Sequence, residues 1–132
     1  MNFSLRQVNL ETDYPLISEW FMGHDIQPLP KHALSTSGFI VEADLKPLCA
    51  IWVYTTNSSL ALVRCGISDP KSNKESRNKG LDTLLDHVVK WSKEQGIDAL
   101  FLESNIPNVL KRAERHGFNI TGSNMTHTMR RL

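Results

Sequence analysis

The side chains in this 132-residue chain that could carry chemistry are few and scattered. Glu42, Asp44 and Glu103 are carboxylates beside apolar segments, so each qualifies as a general base by type. A solvated strand or turn charge is the simpler reading of each. His116 stands where a helical pattern ends, a place for either an acid–base imidazole or a capping side chain. His24, His32, His87 and His127 show no metal-ligand spacing with a Cys or carboxylate, so no metal site is expected. Arg64 interrupts an otherwise apolar run, LALVRCGI. It faces a phosphate or an acidic substrate, or else it snorkels from an edge or pairs with a carboxylate such as Glu42. The segment SDPKSNKESRNK, Ser68 to Lys79, concentrates Lys and Arg ahead of an apolar periodic stretch. Such a segment suits an anion.

These residues need elements to position them. Phe3 to Val8 alternates apolar and polar residues, as a half-buried strand does. Thr12 and Asp13 offer capping oxygens, Pro15 is expected in a first turn, and Leu16, Ile17, Trp20 and Phe21 follow at helical spacing up to Gly23. His24 to Ser37 has no period and is expected to be a loop with one short helical turn. Gly38–Ala43, Leu48–Thr55 and Leu60–Ile67 are expected strands, with a turn at Asp44–Pro47. Short turns favour an antiparallel meander. Leu81, Leu84, Leu85, Val88 and Ser92 form one helical stripe that Gly96 closes. Ala99–Leu102 is a short strand and Ile106–His116 a second helix ended by Gly117. Phe118–Thr121 and Met125–Arg131 are expected to close the chain as two strands. Trp20 and Trp52 belong in the core, with Trp91 half-covering a helix edge. The order is β-α-β-β-β-α-β-α-β-β, a single α/β domain over 1–132 with a mixed sheet flanked by helices.

Composition narrows the function. Lys and Arg number 15 against 14 Asp and Glu, a formal net charge of +1. That balance gives no global attraction to nucleic acid, for which only the Lys71–Lys79 segment speaks. No apolar run is long enough for a signal peptide or a membrane span. Cys49 and Cys65 lie in apolar runs and read as reduced buried thiols, which suits a cytoplasmic setting.

The element order, with its meander followed by a helix, resembles the GCN5-related N-acetyltransferase fold. Arg77-Asn78-Lys79-Gly80-Leu81-Asp82 resembles that family's Arg/Gln-x-x-Gly-x-Gly/Ala loop, and Ser104-Asn105 and His116-Gly117-Phe118 resemble its next strand end and closing Gly-Phe. The resemblance covers nearly the whole chain. It implies acetyl-CoA as acyl donor and an amine, small molecule or protein, as acceptor, and it leaves a homodimer open. Arg77, Asn78, Lys79, Gly80, Leu81 and Asp82 would meet the pyrophosphate at a helix start, where free N–H groups and the dipole favour anions. Ile67 and Ser68, with Cys65 and Gly66, would line the pantetheine arm, and Asn105 would face it from the other side. The amine would attack the thioester directly in a ternary complex, its carbonyl polarised by a backbone N–H near Ile67. Lys111, Arg112 and Arg115 would either reach the 3′-phosphate or form a solvated basic face.

The chain departs from the family pattern at three places. Asp82 stands where Gly or Ala is usual, and a carboxylate repels a pyrophosphate. Leu60–Ile67 holds no carboxylate, and Ala113 stands where a Tyr is common. Ser72 and Glu75 also form Ser-x-x-Glu, a capping box that would begin the helix near Asn73. Gly80 would then lie inside the helix, and the phosphate-facing amides would be those of Lys71 to Lys74. The alternative function is a catalytically inactive binding or assembly protein of the same fold.

Overall fold

Alternation along the central strands decides the layers. In this computed structural model, which describes residues 1–130 and 132, five strands lie in the order β1-β2-β3-β4-β5. They are β1 (Phe3–Gln7), β2 (Gly38–Ala43), β3 (Lys46–Thr55), β4 (Leu60–Ser68) and β5 (Ala99–Leu102). β1 to β4 pair antiparallel, and β5 pairs parallel to β4. Three helices join them: α1 (Leu10–Gly23), α2 (Lys74–Glu94) and α3 (Pro107–Arg115). A single 3₁₀ turn, Lys31–Ala33, interrupts the loop after α1.

Phe39, Val41, Cys49, Ile51, Val53, Ala61 and Val63 share one core with Leu84 and Val88 of α2. Ile40, Ala50, Trp52 and Ile67 pack instead with Ile17, Trp20 and Phe21 of α1. Side chains i and i+2 thus face one helix, and i+1 faces the other. This explains the unbroken apolar run of β3, a strand covered on both faces. Trp52 and Ile17 are wholly buried, each worth roughly 2–3 kcal/mol of transfer free energy. Among the described residues no helix is long and apolar enough to cross a membrane.

Several boundaries differ from the sequence expectation, each for a local reason. α1 starts at Leu10 because Asn9 caps it, its side chain accepting from the Glu11 N–H. Pro15 therefore lies inside the helix, and Asp13 is buried, accepting from the Asn9 N–H and from Arg6. Gly23 does not end α1 by its own conformation; the left-handed residue is Asp25, at φ 58°. What Gly23 provides is room, since a Cβ there would stand 2.7 Å from Cγ of Pro70. α2 and α3 end as expected, with Gly96 at φ 78° and Gly117 at φ 89°. In each, paired amide-to-carbonyl bonds close the last turn, Ile97 to Ser92 and Phe118 to Ala113.

Among the described residues the two closing strands are absent. Phe118–Thr121 and residues 125–130 are irregular, and Arg131 lies outside the described residues. Ile120, Met125 and Met129 are exposed, so this stretch has isolated apolar residues and no buried face to reward pairing. β5 is left as the edge of the sheet.

Candidate functional site

Two facts open a wedge in the sheet. The β4–β5 ladder begins at Leu60↔Ala99 and ends at Val63↔Leu102. Directly beyond it β4 bulges: Ala50 faces Ile67 and Trp52 faces Arg64, so Ile51 opposes two residues, Cys65 and Gly66. Cys65 holds φ 62°, a left-handed conformation that costs a side-chain-bearing residue about 1–2 kcal/mol. The bulge bends β4, and among the described residues Arg64–Ser68 have no partner strand on the β5 side. Because β4 and β5 are parallel, α2 and α3 both begin at this open edge. Two helix N-termini and the ends of a parallel pair of strands therefore lie on one edge of the sheet.

The α2 start shows where free donors lie. Asn73 caps the helix, its Oδ1 accepting from the Ser76 N–H at 2.8 Å. The preceding turn is tied by Asp69, which accepts from the Lys71 N–H at 2.9 Å and from Ser72 through its backbone carbonyl. The Arg77 N–H already reaches the Asn73 carbonyl. The N–H groups of Lys74 and Glu75 open the helix and have no carbonyl before them to meet. The start is one residue later than the Ser72–Glu75 box implies, because the Asn73 amide oxygen makes the cap.

Residues 77–82 consequently lie inside α2 and not in a loop ahead of it, and they face several ways. Gly80 is buried against the sheet, where a Cβ would meet Cys49 Sγ and Leu48 Cδ2 at 2.8 Å each. Its role is close helix–sheet approach. Leu81 packs on the same core. Lys79 is exposed and pairs with Glu75 one turn back, 3.6 Å away. Asn78 and Asp82 face α3. Arg112 donates to the Asn78 carbonyl, to Asn78 Oδ1 at 2.9 Å and to Asp82 Oδ1 at 2.8 Å. Arg115 and His116 reach the same Asp82 oxygen at 3.2 and 3.0 Å. His116 also lies 2.9 Å from Asp86 through its other ring nitrogen. Burial pushes the Asp82 carboxyl up, but the His116 and Arg112 hydrogen bonds and the two guanidinium charges outweigh it and hold it below the usual range. The charge that would repel a pyrophosphate is thus spent within the protein.

This α2–α3 clamp was not anticipated, though its spacing was visible. Asn78, Asp82 and Asp86 recur every four residues, and Arg115 and His116 stand three and four residues after Arg112. Lys111 is exposed and stands apart from the clamp. The remaining predicted residues lie around the wedge. Ile67 and Ser68 end β4, both buried. Asn105, exposed, precedes the first turn of α3, where Ser104 Oγ accepts from the Ile106 N–H. His24 ties α1 to this edge through the Ser68 carbonyl, 2.9 Å away.

The three candidate carboxylates are also sorted. Glu42 pairs with Arg6. Asp44 lies in the β2–β3 turn and accepts from the Asn2 N–H. Glu103 alone lines the wedge. There a shallow hollow of about 140 Å³ is bounded by Leu62, Val63, Arg64, Cys65, Phe101 and Glu103. Ala61, Val63, Leu100 and Leu102 pack toward α2. By alternation Leu62, Arg64, Phe101 and Glu103 face the α1 side, and Cys65 packs there as well. Burial holds the Cys65 thiol above its ordinary range, although Tyr54 and Arg64 both pull it down. Burial, together with Cys65, pushes the Tyr54 phenol up to about 12. Neither group is an anion at neutral pH.

No protein-family model matches the chain, and its sequence matches no curated protein. Solved structures do match its architecture. The ribosomal-protein-S18-alanine N-acetyltransferase from Escherichia coli aligns with a TM-score of 0.72 at 16% identity, over 89% of this chain and 78% of that one. Glucosamine-6-phosphate N-acetyltransferase from Arabidopsis thaliana aligns with a TM-score of 0.65 at 10% identity, over 98% and 100%. N-acetylglutamate synthase from Neisseria gonorrhoeae, complexed with coenzyme A and N-acetyl-glutamate, aligns with a TM-score of 0.68 at 19% identity, over 87% of this chain. The present chain spans only 28% of that synthase. The shared meander, the parallel β4–β5 pair and the helix between them give this chain the GCN5-related N-acetyltransferase fold.

Proposed function

We propose that the chain is an acetyl-CoA-dependent N-acetyltransferase that transfers acetyl directly to an amine in a ternary complex. The wedge supports this reading: the β4–β5 ladder stops at Val63↔Leu102, just before the β4 bulge, on the edge where α2 and α3 begin. A thioester arm fits such a gap along Cys65–Ser68, with Asn105 across from it. The pyrophosphate meets the Lys74 and Glu75 amides, with Lys71 and Arg77 close in sequence to supply positive charge. Asn78, Lys79, Gly80, Leu81 and Asp82 hold the helix in place and need not touch the cofactor. Coenzyme A bound to the gonococcal synthase, which shares the fold, supports the choice of donor.

In this reading the amine nitrogen attacks the thioester carbonyl, whose oxygen accepts from a β4 backbone N–H near Ile67. The N–C bond forms and the C–S bond breaks. The amine proton passes to Glu103, directly or through water, and returns through water to the departing thiolate, which leaves as the thiol of coenzyme A. A relay through Cys65 is disfavoured because its thiol is held protonated.

A second reading, a binding protein without catalysis, draws on Ala113 and on the absence of a carboxylate from Leu60–Ser68. Thermal denaturation with acetyl-CoA, together with mass spectrometry of an amine panel, separates the two. A rise in melting temperature with acetamide formation supports transfer. Stabilisation without product over the panel favours the second reading. Stabilisation should reach about 2.7 kcal/mol at a hundredfold excess over Kd. Its complete absence at millimolar acetyl-CoA refutes the acetyltransferase reading.

A further inference from the structure

Among the described residues Arg64 is the one cation in the wall of the wedge hollow, and the fold leaves it unused. Exposed on an otherwise apolar strand, it makes no hydrogen bond or ion pair among the described residues. Glu42, a natural partner by sequence, is taken by Arg6. Arg64 sits in the last paired step before the bulge and shares the hollow with Glu103 and with the half-exposed ring of Phe101. His127 approaches Glu103 from the exposed tail, 3.1 Å away, and both side chains remain more than half exposed.

Resting on the acetyltransferase reading, we propose that the acceptor is an amine that also carries a carboxylate, with Arg64 binding the carboxylate and Glu103 the amine end. A planar guanidinium matches a carboxylate through two parallel N–H donors. The hollow holds one positive and one negative side chain, so it suits a zwitterion better than a phosphate dianion, which Glu103 would repel. Its volume of about 140 Å³ fits an amino-acid-sized group, and Phe101 offers an apolar face for a side chain. Phe101, on the edge strand β5, and Arg64, on β4, lie on the same α1 side of the sheet. The acceptor therefore enters from that side, opposite α2. Arg64 acts as a specificity-determining residue and takes no part in the bond changes.

The test uses the full chain, acetyl-CoA and matched acceptors: L-phenylalanine, L-phenylalaninamide and 2-phenylethylamine, with the leucine series alongside. Initial rates come from thiol release, and products from mass spectrometry. The carboxylate-bearing member should lead in kcat/KM by about ten- to a hundredfold, the span of one charge-assisted hydrogen-bonded pair, with most of the difference in KM. Arg64→Gln should bring the series close to parity, and Arg64→Lys should restore part of the preference. The melting shift with acetyl-CoA should be the same in both variants, which shows that they fold and bind cofactor. Equal rates across the series, or a preference that survives Arg64→Gln, overturns the proposal and leaves the acetyltransferase reading standing. If no member is acetylated, calorimetry of L-phenylalanine binding with coenzyme A present decides. Binding lost in Arg64→Gln sustains the proposal, and its absence in the unmodified chain overturns it. Loss of the acetyl-CoA shift in the unmodified chain is the separate failure of the parent reading.

Discussion

Replacing Gly80 by Ala sets two effects of opposite sign against each other. In a helix interior Ala is better than Gly by about 1 kcal/mol. Gly80, however, faces the sheet, and the new Cβ would stand 2.8 Å from both Cys49 Sγ and Leu48 Cδ2. Relief requires a shift of well over half an ångström on two sides at once. Cys49 is wholly buried in β3 and Leu48 is 5% exposed, so neither side chain has an open direction to move. Overpacking of this kind costs about 1–3 kcal/mol, and at a site blocked on two sides the upper half of that range applies. The expected net loss is about 1 kcal/mol, or roughly 4 °C in Tm for a chain of this size. Urea unfolding followed by tryptophan fluorescence measures it, since Trp52 lies in β3 and Trp91 in α2. Combining Gly80→Ala with Cys49→Ala should recover part of the loss, a coupling that a double-mutant cycle isolates. If Gly80→Ala alone raises Tm, the close approach is wrong and Gly80 must be free for another task.

Three further outcomes follow from single contacts. Leu45 occupies a two-residue turn at φ 69° and is 85% exposed, so Leu45→Gly loses little burial; the relieved strain should exceed the added chain entropy and raise stability by about 0.5–1 kcal/mol in calorimetry. Asp13 is held below the usual carboxylate range by the Arg6 hydrogen bonds, with burial opposing. Its contribution is complete above the unfolded pKa of about 4 and fades as pH falls through the lower folded value, so Asp13→Asn should lower stability at pH 7 by about 2 kcal/mol and flatten the acid limb of the stability curve. Asp82→Asn loosens α3, and because both helix N-termini border the wedge, it should weaken acetyl-CoA binding in titration calorimetry more than it lowers Tm; an unchanged affinity would separate the clamp from the site.

The layers were legible because burial writes itself into alternation. Phe39, Val41 and Ile40, or Cys49, Ile51 and Trp52, assign their faces as soon as the period is two. The closing strands were not legible, because Phe118–Thr121 has strand-like composition but no partner supplying a buried face, and propensity without burial does not order a strand. The bulge at Cys65 was equally hidden: nothing in LALVRCGI marks a left-handed cysteine, and only the register against β3 reveals it.

The stretch Arg77–Asp82 shows most sharply why residue type underdetermines role. Glycine and arginine at a helix start make an anion cradle, and the same residues one turn inside the helix make a packing seam. Which one forms depends on a contest between Asn73 and Gly80 for the first turn, and Asn73 wins by giving its side-chain oxygen to the Ser76 N–H. With the helix begun at Lys74, Asn78 and Asp82 turn toward α3, and Asp82 becomes the residue on which Arg112, Arg115 and His116 converge. A carboxylate that would weaken a phosphate site in a loop therefore strengthens the frame of the wedge from within the helix. The same contest moves the free N–H groups to Lys74 and Glu75, where Lys71 and Arg77 flank them in sequence. The departure of Asp82 from the family pattern thus bears on how α3 is held, and leaves the N-terminal end of α2 without a carboxylate from that position.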